Sequence, residues 1–184
     1  MENKSLKKTI FVILLYALFF QNAYSQIEFG EEQIIEQENG FVHVHAGDLD
    51  GDDDEDVIAC RYERLIWYEN DGLGNFVNTQ IIVEEEGSMQ SIYITDLDGD
   101  NDLDILTDSN QDWGENDQIV WFKNDGAGNF SSKIIITDQI NAAHCVYAAD
   151  LDGDGRAEII TGANKVSKPG ILFKPKDPLV IGHI

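Results

Sequence analysis

The chain has 184 residues, of which 35 are acidic and 12 basic, giving a formal net charge of −23. A surface this acidic repels phosphate backbones and anionic lipid headgroups, which argues against nucleic acid or an anionic membrane as partner. With only two cysteines, the chain is also not one of the small scaffolds held together by disulfides.

Residues 1–25 begin with Lys4, Lys7 and Lys8, continue with the apolar run Thr9 to Phe20, and end in Ala23-Tyr24-Ser25, with small residues where signal peptidase reads. This is the pattern of a secretory signal peptide cut after Ser25, and it predicts an extracellular protein. The apolar run is about twelve residues, too short to span a bilayer, so no membrane insertion is expected after cleavage. From Gln26 onward 159 residues remain, enough for one domain with a real core.

One nine-residue loop is written three times. Its carboxylates are Asp48, Asp50, Asp52 and Asp56 in the first copy, Asp96, Asp98, Asp100 and Asp104 in the second, and Asp150, Asp152, Asp154 and Glu158 in the third. Acidic residues at positions 1, 3, 5 and 9 of a tight loop suit a hard cation, because Ca²⁺ collects six to eight oxygens at about 2.3–2.6 Å. Position 7 (Asp54, Asp102, Arg156) would then contribute its backbone carbonyl, which is why an arginine is tolerated there. Position 6 is Asp53, Asn101 or Gly155, residues that enter the left-handed backbone region most readily, as a sharp turn around an ion requires. Sixteen acids crowd into these loops and would repel one another without cations.

An EF-hand needs a glutamate at position 12 and flanking helices. Here position 12 is Ala59, Thr107 and Thr161, and short β-rich runs follow each loop, so the EF-hand reading fails.

The first loop aspartates are 48 and then 54 residues apart, the size of a four-stranded repeat. A strand is predicted before each loop (Val42 to Ala46, Ile92 to Thr95, Val146 to Ala149) and another directly after it. A third covers Leu65 to Glu69, Ile119 to Lys123 and Ile171 to Lys174, and a fourth Gln80 to Val83 and Lys133 to Thr137. Asn70-Asp71-Gly72 and Asn124-Asp125-Gly126, each followed by Gly-Asn, are hairpin chemistry between third and fourth strands. Trp67, Trp121, Phe76 and Phe130 are expected to pack between repeats. Cys60 and Cys145 sit at unrelated repeat positions, so both are expected to be small buried residues without a disulfide. His43, His45 and His144 are expected to be core or surface residues. Phe29 to Ile35 resembles the later fourth strands and predicts a lone strand at the start of the array.

The thrice-repeated Asp-Leu-Asp-Gly-Asp loop and its flanking strands resemble the FG-GAP/VCBS repeats of integrin α-chain-like β-propellers over roughly Phe29 to Lys174. The resemblance implies an all-β fold: a partial β-propeller of about three four-stranded blades, with each loop joining a blade's first two strands and holding Ca²⁺. The array is then residues 26–174, with 175–184 an irregular tail, and a truncated propeller is expected. Glu158 departs from the pattern with a longer arm.

No nucleophile, base and orienting group form a set: Ser88, Ser91 and the histidines lack the spacing of hydrolase or metalloprotease motifs. The leading expectation is a secreted, non-catalytic, Ca²⁺-binding adhesion or ligand-binding module, with about three ions. The alternatives are an accessory or catalytic part of a polysaccharide-acting protein, and a structural spacer. The span from position 9 to the tryptophan position varies among repeats and is longest around Asp108 to Asp117. There Trp113, beside Asp112, Glu115 and Asn116, is the candidate to contact a glycan or protein ligand. Blade faces left open at the ends of the array predict self-association.

Overall fold

The computed structural model describes residues 30–61, 63–84, 88–110, 117–140, 142–163 and 171–173. Two compact units divide the chain, residues 1–37 and 38–184. The expected signal peptide and tail lie outside the described residues. In the first unit, residues 30–35 form no strand, contrary to the expectation for Phe29 to Ile35. The apolar residues there, Ile34 and Ile35, are exposed, so among the described residues the stretch has neither a ladder partner nor a core to fill.

The second unit is all-β, with no helix among its described residues. Its first sheet is a meander of β1 (His43–Gly47), β2 (Asp56–Arg61), β3 (Arg64–Asn70) and β4 (Phe76–Glu84). A second meander follows as β5 (Ile92–Thr95), β6 (Asp104–Ser109), β7 (Asp117–Phe122) and β8 (Ile134–Ile140). The third sheet comprises β9 (Ala143–Ala149), β10 (Glu158–Ala163) and β11 (Ile171–Phe173). All neighbouring strands are antiparallel.

Side chains alternate across a strand, and the middle sheet uses both of its faces. Ile105, Val120 and Phe122 point into one cluster with Ile58, Cys60, Leu65 and Trp67 of the first sheet. Their neighbours Leu106, Ile119 and Trp121 point into the other, with Val146, Ala148 and Ile159 of the third. All six residues of β6 are consequently buried. The expected role of the tryptophans is what the packing shows: Trp67 meets Phe130 of the next repeat edge-on, with ring centroids 6.2 Å apart. A side chain at Gly128 would collide with the Trp67 ring, so the turn of the second repeat can seat that indole only as glycine.

The leucine at loop position 2 reads out position in the array. Leu49 is 0% exposed in the first inter-sheet cluster and Leu97 8% exposed in the second, whereas Leu151 is 56% exposed. The same dependence corrects one expectation. Cys60 is buried but Cys145 is exposed, and both are free thiols. Cys145 shares its repeat position with Ser91, which is buried because β9 lies against it, Val146 N donating to Ser91 Oγ at 3.1 Å. No described sheet lies beyond Cys145 to cover it in the same way.

Candidate metal centre

Each loop is shaped by its own carboxylates. Asp48 accepts hydrogen bonds from the backbone N–H groups of Gly51, Asp52 and Asp53 at 2.7–3.2 Å, and Asp96 and Asp150 repeat this with Gly99, Asp100 and Asn101, and with Gly153, Asp154 and Gly155. Position 5 accepts from the N–H of position 7 in all three copies (Asp54 to Asp52, Asp102 to Asp100, Arg156 to Asp154). Asp53 and Asn101 hold φ of 71° and 75°, the left-handed turn expected at position 6.

Position 9 fastens the loop to the sheet. Buried Asp56 accepts from Leu49 N at 3.2 Å and Asn70 N at 2.8 Å; buried Asp104 accepts from Leu97 N and Asn124 N at 3.1 and 2.9 Å. Glu158, despite its extra methylene, reaches Leu151 N at 2.8 Å. Burial pushes the Asp104 carboxyl up to about 6.

The turn asparagines, which the sequence suggested only as hairpin formers, complete this frame. Asn70 Nδ2 donates to Glu55 O at 3.1 Å, and Asn124 Nδ2 donates both to Leu103 O at 3.1 Å and, across the sheets, to Leu49 O at 2.7 Å. The Asn-Asp-Gly turns and the Asp-rich loops therefore share one rim. Position 7 lies over the turn: a Cβ at Gly126 would stand 2.5 Å from Asp102 Oδ1. Asn124→Ala is expected to cost about 2–3 kcal/mol in urea unfolding, since it strips the buried Leu49 carbonyl and the part-buried Leu103 carbonyl of their donor. A loss below 0.5 kcal/mol would show that the clasp to Leu49 is idle.

One carboxylate oxygen from each of Asp48, Asp50 and Asp52 lies within 4.8 Å of the others, as do those of Asp96, Asp98 and Asp104, and of Asp150, Asp152 and Glu158. Oxygens on opposite sides of a Ca²⁺ stand about 5 Å apart, so the span is right for that ion. Asp50 Oδ1 and Asp98 Oδ1 are buried without a hydrogen-bond partner, and each belongs to one of these carboxylate clusters. Burial first, and then the Asp52 charge, raises the Asp50 carboxyl above its usual range. These hard oxygen donors fit Ca²⁺ in the first and third loops. The second differs, because the Lys123 ammonium contacts Asp98 Oδ2 and lies 2.9 Å from Asp100 Oδ2. Its hydrogen bond holds the Asp100 carboxyl low.

At the opposite end of the sheets, β6 continues to Ser109 and β7 begins at Asp117, which shortens the loop expected between Asp108 and Asp117. Trp113, with Asp112, Glu115 and Asn116, lies outside the described residues. Asp108 and Asp117 are fully buried: Asp108 accepts from Gln90 N and Ser91 N at 3.0 and 2.7 Å, and Asp117 from Ala143 N at 2.9 Å. The histidines tie or pad neighbouring sheets, Ile92 N donating to His43 Nδ1 at 3.2 Å and His45 lying 5.6 Å from the Tyr93 ring.

Successive antiparallel sheets, each carrying an Asp-rich loop on the same rim, define a repeat protein built as a ligand-binding or structural module. The family model described as FG-GAP-like repeat matches residues 48–107 and 109–161, more than half of the chain, and the protein belongs to that family. FG-GAP repeats are typically non-catalytic and typical of extracellular proteins. A search of curated proteins gave no match to the chain.

Proposed function

We propose that the protein is a secreted, non-catalytic FG-GAP module whose Asp-rich loops bind Ca²⁺ and whose sheets are the blades of a partial β-propeller that presents a surface for adhesion or ligand binding. The observation that carries this reading is the convergence of the carboxylates of loop positions 1 and 3 with that of position 5 or 9 in each repeat, position 9 being braced by a backbone N–H each time. The ligand sets are Asp48, Asp50, Asp52 and Asp56 in the first loop and Asp150, Asp152, Asp154 and Glu158 in the third, with the position 7 carbonyl completing each. Bound Ca²⁺ neutralises acids that otherwise repel, and so locks the rim. A glycan or protein ligand would meet the other rim, where Trp113 falls in the connection between β6 and β7, and the open sheet faces favour self-association.

Only the folded loop gathers the ligands, so binding stabilises the fold. At one hundred times the dissociation constant each independent site contributes about 2.7 kcal/mol. The melting temperature is therefore expected to rise as Ca²⁺ replaces EDTA and to fall again on chelation. A melt indifferent to both would sink the Ca²⁺ reading.

A further inference from the structure

The residue two places after the third-strand tryptophan reverses its charge between the first two repeats: Glu69 follows Trp67, and Lys123 follows Trp121. Both sit beside loop position 3. Glu69 adds a negative charge that bears on Asp50, and Asn78 Nδ2 holds its carboxylate at 2.7 Å. Lys123 Nζ instead contacts Asp98 and lies 2.9 Å from Asp100, with only a third of its side chain exposed. An ammonium offers three donors and no acceptor, so it satisfies carboxylates as a cation does and repels a second cation brought to the same oxygens.

We propose that the second loop carries its own cation, the Lys123 ammonium bridging Asp98 and Asp100 and opposing entry of Ca²⁺ to the carboxylates beside them, while Glu69 leaves the first loop without such a cation. The three repeats are then not interchangeable. One has exchanged an ion that must be supplied from outside for a side chain that is always present, and it stays assembled when Ca²⁺ is scarce. This inference rests on the Ca²⁺ reading of the first loop, but its metal-free half does not.

The test counts bound Ca²⁺ on the full chain by equilibrium dialysis and follows melting in EDTA. The double change Asp50→Asn with Asp52→Asn is expected to remove one Ca²⁺. The matching change Asp98→Asn with Asp100→Asn is expected to remove none, and Lys123→Glu to add one. In EDTA, Lys123→Gln is expected to lower the melting temperature by several degrees by releasing Asp98 and Asp100 to repel, whereas Glu69→Gln is expected to raise it. Loss of a Ca²⁺ on changing Asp98 and Asp100 would overturn the proposal, as would an unchanged metal-free melt for Lys123→Gln. If the wild type binds no Ca²⁺ at all, the Ca²⁺ reading of the loops fails, and the melts in EDTA alone decide what Lys123 does.

Discussion

Leu49→Ala is expected to cost about 3–4 kcal/mol, while Leu151→Ala, the same substitution at the same loop position, is expected to cost less than about 0.5 kcal/mol. Leu49 is fully buried between the first and second sheets, where truncation leaves a cavity lined by side chains from both. Leu151 is more than half exposed and has little packing to lose. Urea unfolding midpoints at constant Ca²⁺ measure the contrast. Equal losses at the two positions would mean that Leu151 is covered in solution, by a second copy or by another part of the chain.

Asp108→Asn is expected to stabilise the protein at pH 8 by about 2–3 kcal/mol and to leave it unchanged at pH 4. Burial is the main cause that pushes the Asp108 carboxyl up to about 6, with the Asp117 charge adding to it, while an unfolded aspartate titrates near 3.9. Between these values the folded protein keeps a proton that the unfolded chain has already released. Stability therefore falls as pH rises from about 4 to about 6 and levels off above, by roughly 3 kcal/mol for a two-unit difference. Asparagine keeps an oxygen for the Gln90 and Ser91 amides and carries no charge to bury. Asp104 titrates in the same window, and subtracting wild type from variant cancels it, provided both are measured in EDTA. A variant less stable than wild type at pH 8 would mean that the two N–H bonds favour the ionised form more than burial opposes it.

What was legible in the sequence is what repeats locally. The loops, the strands flanking them, the left-handed position 6 and the aromatic packing each follow from a pattern visible within one repeat and reinforced by the next. Relations between repeats were harder to read. Nothing in Asn124-Asp125-Gly126 announces that its asparagine reaches the Leu49 carbonyl, 75 residues earlier. The opposition of Glu69 and Lys123 was in plain view, but both were read as ends of strands rather than as neighbours of loop position 3. Asp108 and Asp117 were taken as the bounds of a variable loop, because spacing does not say how far a ladder continues. The strands run on through Asp108 and from Asp117, and both are buried, Asp108 under Gln90 and Ser91 and Asp117 against Ala143 of the third sheet. Cys145 failed for the complementary reason: burial in such an array is a property of the next repeat, and the alignment of three loops does not show which one lacks a cover among the described residues.

The braces of the loops also set an order in time. Among the described residues every strand pairing joins chain neighbours, each position 9 carboxylate finds a donor 7 residues away, and Asp56 and Asp104 find a second within 14 to 20. Closing such short segments costs little chain entropy, so a loop and its meander can form while the rest of the chain is still disordered. The ties between sheets span 26 to 75 residues, most of them 49 or more, and close after the shorter pairings. Each repeat thus arrives as a shaped loop on a finished hairpin, and docking through Leu49, Trp67 and Asn124 comes last.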